Sequence, residues 1–110
     1  MVRKMATESE IKGARSMTES DLVYTAMHPT RLEILTRIEA KPSYASKLEE
    51  LTAIDRKILS FHLSVLERAG LAVSEFGLKN HPEKRPVAVR YYKLTPKGKE
   101  ILDRVRYALK

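Results

Sequence analysis

Asp55-Arg56-Lys57-Ile58-Leu59-Ser60-Phe61-His62-Leu63-Ser64-Val65-Leu66-Glu67-Arg68-Ala69-Gly70 is the stretch on which the reading of this chain turns. Leu59, His62, Leu63 and Leu66 recur at the three- and four-residue spacing that aligns one face of a helix, flanked by Ile58, Val65 and Ala69. The other face is polar except for Phe61: Arg56, Lys57, Ser60, Ser64, Glu67 and Arg68. Asp55 is a good N-cap and places an acid at the positive end of the helix dipole. Gly70 tolerates the left-handed conformation at which helices stop. The spacing therefore predicts one amphipathic helix over about 55–69.

Working outward, Thr52-Ala53-Ile54 reads as a tight turn after a short helix, Tyr44 to Leu51, with Ala45, Leu48 and Leu51 inward and Ser43 as N-cap. Before it, Pro29 opens a helix carrying Leu32, Ile34, Leu35 and Ile38, and Thr18 or Ser20 caps an earlier one striped by Leu22, Val23, Ala26 and Met27. Residues 1–17 are expected to form a flexible arm and 18–110 the folded domain. Beyond Gly70, Leu71 to Phe76 and Val87 to Leu94 read as strands joined by a polar connection from Gly77 to Pro86. Thr95 and Pro96 then start a last helix striped by Ile101, Leu102, Val105, Ala108 and Leu109. The expected fold is α+β and mainly helical: four helices, two strands, one helix. Two short helices across a tight turn, followed by a hairpin, are what a winged helix-turn-helix with a two-stranded β wing requires.

The charge is unevenly placed. Residues 1–76 balance 11 basic against 11 acidic side chains, whereas residues 77–110 hold 10 basic and 3 acidic, so the whole net +7 falls in the last third. A charge run that only kept the protein in solution would intersperse the signs, as the first two thirds do. The bias favours a polyanionic partner, either nucleic acid or an anionic membrane surface. No amphipathic basic helix of membrane type accompanies it, which favours duplex DNA and no membrane. Without cysteine there is no disulfide framework, thiolate metal site or cysteine nucleophile. No Ser/His/Asp order, phosphate-cradling glycine loop or carboxylate cluster is visible, so no enzyme is expected. The start, Met1-Val2-Arg3-Lys4, is not followed by an apolar segment of the secretory type, so the expected location is cytoplasmic.

The stretches His28-Pro29-Thr30-Arg31-Leu32-Glu33-Ile34-Leu35, Tyr44-Ala45-Ser46-Lys47-Leu48, Ile54-Asp55-Arg56-Lys57, Ser60-Phe61-His62-Leu63, Leu66-Glu67-Arg68-Ala69-Gly70-Leu71 and Tyr91-Tyr92-Lys93-Leu94-Thr95-Pro96-Lys97-Gly98 resemble ArsR-type winged helix-turn-helix transcriptional regulators, archaeal members in particular. The resemblance spans roughly 18–110. It implies that Tyr44 to Leu51 is the first helix of the motif and Asp55 to Ala69 the recognition helix, with Ser60-x-His62-Leu63 matching the recognition-helix signature. It also implies dimers formed through terminal helices. Metal sensing is not carried over, because cysteine is absent and the last helix has no histidine; neither metal nor cofactor is expected.

The expected partner is double-stranded DNA, read by a homodimer. Arg56, Lys57, Ser60, Phe61 and Ser64 face the major groove, where Arg56 suits guanine N7 and O6 and Phe61 a thymine methyl. Lys79, Lys84, Arg85 and Arg90 on the wing meet the phosphate backbone or minor groove. Lys97 and Lys99 break the dipole rule at a helix start, with Gly98 between them, and stand as further phosphate candidates. His62 falls on the apolar face and reads as a packed histidine; His28 sits at a helix junction and His81 in the wing loop. Leu22, Val23, Met27, Ile101, Leu102, Val105 and Leu109 form the expected dimer interface, with terminal helices from two subunits meeting about a two-fold axis. The competing readings are a protein-interaction adaptor and a non-specific chromatin-type binder, each using the same basic wing.

Overall fold

A computed structural model describes residues 17–81 and 83–110, without the side chains of His81 and Lys84. The expected arm, apart from Met17, lies outside the described residues; Met17 packs against the core. The elements are α1 (Glu19–Ala26), α2 (Pro29–Ala40), β1 (Ser43–Tyr44), α3 (Ala45–Thr52), α4 (Arg56–Arg68), β2 (Ala72–His81), β3 (Lys84–Leu94) and α5 (Pro96–Ala108).

Local chemistry fixes the helix starts. Thr18 and Asp21 form a reciprocal capping box on α1. At α2 the cap is His28, whose Nδ1 accepts from the Thr30 amide with Pro29 at the first position. Asp55 accepts from the Lys57 amide on α4 and Thr95 from the Gly98 amide on α5. Helix α4 ends as a Schellman motif: Gly70 (φ 77°) donates to the Glu67 carbonyl and Leu71 to that of Leu66.

The core is built from one face of each helix, with Ile34, Leu35, Ile38, Leu48, Leu59, Leu63, Leu66, Leu71, Ile101, Leu102 and Val105 all fully buried. Burying each such side chain is worth about 1.5–3 kcal/mol against leaving it in water. Leu51, expected inward, is half exposed, its backbone carbonyl and not its side chain meeting α2 through Arg37 at 3.3 Å; Ile58 on α4 is exposed as well.

Three strands form one antiparallel sheet in the order β1-β3-β2. The two-residue strand β1 was not expected: Ser43 and Tyr44 pair with Tyr92 and Tyr91. That pairing moves the start of α3, so Tyr44, not Ser43, is the N-cap, and it makes no side-chain cap hydrogen bond. Ser43 is instead buried and donates to the Lys41 carbonyl. The expected ten-residue loop is also corrected. β2 runs on to His81 and β3 begins at Lys84, with an irregularity between Lys79 and His81. Gly77, Leu78 and Lys79 thus lie within the ladder, where backbone bonds need no apolar side chains, and Asn80, Arg85 and Pro86 fall in the irregular stretch before the last pair, His81 with Lys84. Pro86 is tolerated close to this irregularity, where the other edge of β3 has no β1 partner.

An ion-pair cluster ties α2 to α5. Glu39 accepts from Arg106 Nη2 at 2.7 Å and from Lys99 at 2.9 Å, and Lys99 also reaches Asp103 at 3.1 Å. Hydrogen bonds from Arg106 and then Lys99 hold the Glu39 carboxyl down to about 2 from an ordinary 4.5. The unfolded chain therefore takes up a proton below pH 4.5 that the folded one refuses, so this stabilisation is whole above 4.5 and lost as pH falls toward 2. Because the partners are solvent-exposed, its expected size is about 1 kcal/mol. Urea titrations at pH 6 and pH 3 should show Glu39→Gln losing less stability across that interval than the parent; equal losses would remove Glu39 from the acid response.

Candidate nucleic-acid interface

Helices α3 and α4 are joined by Thr52-Ala53-Ile54, in which Ala53 takes the left-handed conformation (φ 59°). The Thr52 hydroxyl stabilises this turn, donating to the Leu48 carbonyl at 2.7 Å and accepting from the Ile54 amide at 3.2 Å. Leu59, His62, Leu63 and Leu66 then anchor the inner face of α4 in the core. Lys57, Ser60 and Phe61 are left exposed along the outer face, Phe61 at 58%. Ser64, next on the same row, is half-buried and accepts from Arg68.

His62 is a packed histidine. Its Nδ1 accepts from Arg31 Nε at 3.1 Å, and the Arg31 guanidinium also donates to the Thr25 carbonyl, locking α4 to α2 and the end of α1. Burial first, then the charges of Arg31 and His28, hold His62 below its ordinary range and keep it neutral. Among the described residues no group of three or more His, Asp or Glu is placed to hold a metal ion.

Arg56 is exposed but not free. It reaches back to Glu49 of α3 at 3.0 Å, so base contact requires exchanging that partner. Across from it lies Arg90 of β3, and the two line a cleft of about 210 Å³ with Tyr44, Ala45 and Ser46 at the uncapped start of α3. The first amides of α3 have no side-chain cap there.

Alternation divides the hairpin into two faces. Ser74, Phe76, Arg90 and Tyr92 share one, which turns toward α4: Ser74 donates to Glu67 at 2.7 Å and Tyr92 packs on the core. On this face the Arg90 guanidinium lies 5.5 Å over the Phe76 ring, and Phe76 is 73% exposed. Phe76 was missed in the sequence, although the alternation Ser74, Phe76, Leu78 would have found it. Lys79 is on the opposite face, 4.7 Å over the Tyr44 ring, and does not join the α4 set. Arg85 is exposed near the tip, while the Lys84 and His81 side chains lie outside the described residues. Lys97 pairs with Glu100, and Lys99 belongs to the Glu39 cluster. Gly98 has a packing reason: a Cβ there would stand 2.0 Å from the Leu71 carbonyl oxygen.

Of the seven residues expected at a dimer interface, Leu22, Ile101, Leu102 and Val105 are buried inside the single subunit, because α1 and α5 pack on each other and on α2. Val23 is half-buried against the same core, while Met27 and Leu109 stay exposed beside Tyr24 and Tyr107.

Among the described residues, five helices, an antiparallel sheet and a long hairpin after the second helix of a tight-turn pair make up a winged helix-turn-helix fold, the architecture used by transcription regulators. The sequence profile of a helix-turn-helix domain matches residues 26–75. A crystal structure described as a possible transcriptional regulator for arsenical resistance is 25% identical, covers 81% of this chain and 83% of its own, and superposes with a TM-score of 0.56. A regulator described as of the MarR family from Enterococcus faecalis V583 covers 96% and 86% at 19% identity, with a TM-score of 0.65. A PadR-like transcription factor from "bacteroid fragilis" covers 83% and 82% at 22% identity, with a TM-score of 0.57. A comparison with curated proteins returns no match. No helix among the described residues is long and apolar enough to cross a membrane.

Proposed function

We propose that this protein is a sequence-specific, double-stranded-DNA-binding transcriptional regulator, ArsR-like and nearest in motif to archaeal members, that acts in the cytoplasm without enzymatic activity. The observation that carries this is the convergence of Arg56 and Arg90 on the uncapped start of α3, beside the exposed row Lys57, Ser60 and Phe61. Two guanidiniums, Arg56 on exchanging its Glu49 partner, and open helix amides are a receptor for a phosphate. A duplex held there lays its major groove along α4, where Lys57 and Ser60 meet base edges and Phe61 a thymine methyl. Arg85, Arg90 and Phe76 then follow the backbone into the adjacent minor groove.

The regulator acts as a homodimer in this reading. Tyr24, Met27, Tyr107 and Leu109 supply the uncovered apolar surface on the paired α1 and α5, and two α4 helices then read half-sites about 10 bp apart. The arsenical role in one neighbour's description is not transferred, since this chain has no cysteine to furnish soft ligands.

Selection from a random duplex pool is the test. Enrichment of a palindrome, with affinity falling linearly in log salt, is the expected result. Equal affinity for every duplex would reduce the protein to a non-specific chromatin-type binder. The exposure of Phe76 and Leu78 on the wing favours the adaptor as second reading, and only that reading predicts a protein partner retained in Arg56→Ala/Lys57→Ala with duplex affinity unaltered.

A further inference from the structure

We propose that the cavity between the outer face of the wing and the corner made by α2, β1 and α3 binds a small organic anion with an aromatic body. Its volume, about 490 Å³, is that of a site for a metabolite-sized ligand. Arg37, Lys41, Lys47 and Lys79 line it, and no carboxylate does among the described residues. Among the described residues the acidic neighbours of Arg37 and Lys47 are Glu33 and Glu50, each at 3.5 Å on the same helix and neither on the cavity wall, and Arg37 also donates to the Leu51 carbonyl at 3.3 Å. Lys79 leans on an aromatic ring instead of a carboxylate. Four cations gathered this way hold a positive potential inside a concave wall, which favours an anion.

The wall itself selects the body of the ligand. Tyr44 and Tyr91 meet edge to face, with ring centroids 5.4 Å apart, and are only partly covered. They offer an aromatic surface on which a flat ring packs while its acidic group reaches Lys41 or Lys79.

Register favours an occupant other than the DNA backbone, although Tyr44 borders both this cavity and the Arg56/Arg90 cleft. Tyr44, Tyr91 and Lys79 share one face of the sheet, whereas Ser43, Tyr92 and Ser74 share the other, which carries the contacts to α4 and the core. The part of the cavity formed by Tyr44, Tyr91 and Lys79 therefore lies on the face turned away from α4, with Ser43 and Leu78 of the other face at its border. Because its cations come from α2, the residue after it, α3 and β2, an occupant bridges the helical body to the wing. This inference stands independently of DNA binding.

Isothermal titration of the full chain without DNA tests it, using naphthalene-2-carboxylate, its neutral carboxamide and inorganic phosphate. The carboxylate is expected to bind, with the carboxamide and phosphate each at least about tenfold weaker, and Lys41→Ala/Lys79→Ala is expected to weaken the carboxylate about tenfold. Far-UV circular dichroism of the double variant should match the parent, since both side chains lie outside the core. Absence of carboxylate binding, equal binding of the carboxamide, tighter binding of phosphate, or an unchanged double variant would each overturn the proposal. So would a double variant that loses duplex affinity but keeps its carboxylate affinity. The carboxylate, carboxamide and phosphate titrations involve no DNA, so their failure leaves the regulator reading untouched, and the converse holds.

Discussion

Gly98→Ala should cost about 3 kcal/mol of stability and lower the thermal midpoint by roughly 10–20 °C, although helix propensity alone would favour alanine. Gly98 is the third residue of α5, buried, and its backbone presses on the turn between α4 and β2. An added Cβ would lie 2.0 Å from the Leu71 carbonyl oxygen and 2.8 Å from Leu94 Cδ1. The leucine side chain can give; the carbonyl cannot, since it accepts from the Thr95 amide at 3.2 Å. Relief means lifting α5, which also breaks the bond from the Thr95 hydroxyl to the Gly70 carbonyl, 2.7 Å long. A side-chain contribution of up to about 1 kcal/mol from propensity, smaller in the first turn, does not offset two strained hydrogen bonds and the disturbed packing of Ile101 and Leu102. Thermal and urea unfolding followed by circular dichroism measure the effect. An unchanged or raised midpoint would show that α5 docks with slack and that the glycine is dispensable.

The same residue marks where a sequence stops being readable. In the sequence Gly98, between two lysines, looks like a broken helix rule, and such a break invites a functional explanation. Its cause is a backbone atom of Leu71, brought close only by folding, for which no local pattern exists. Helix α4 was legible because burial on one face imposes a 3.6-residue period, and Asp55 and Gly70 punctuate it chemically. β1 was not, since two residues pairing with Tyr91 and Tyr92 carry no periodicity. The wing was shortened by reading its polar middle as loop: the alternation of Phe76 and Leu78 is not continued through the polar and charged residues from Lys79 on, so nothing in the pattern announces the last rungs. In α5 the stripe Ile101, Leu102, Val105 was correctly seen to be buried, but periodicity says that a face is covered and not by what. Here the cover is α1 and α2 of the same subunit. The candidate DNA-facing row Lys57, Ser60, Phe61 followed directly from the helix face. That Arg56 is held by Glu49 could not be read, because the two residues face each other only once the turn at Ala53 has closed.

If α4 reads bases and the wing meets phosphates, two variants will fail in different ways. Arg85→Ala/Arg90→Ala should weaken every duplex alike, roughly 10- to 100-fold near 0.1 M salt, and lower the slope of log affinity against log salt by about 2. Each arginine neutralises one phosphate, and counterion release from phosphates is blind to sequence. Arg90 acts with Phe76 beneath it, so its loss also releases the ring that the guanidinium covers. Lys57→Ala should cost about 1–3 kcal/mol at the selected palindrome and much less on random duplex, because a base-edge contact is made only where the right base is present. Lys57 is exposed and caps no helix through its side chain, so the fold should be intact in this variant. Fluorescence anisotropy on the palindrome and on a scrambled duplex, each at four salt concentrations, separates the two patterns. A wing variant with an unchanged salt slope would take Arg85 and Arg90 off the backbone. A Lys57→Ala protein that weakens equally on both duplexes would move Lys57 from base to phosphate, and the specificity of α4 would then have to come from Ser60 and Phe61 alone.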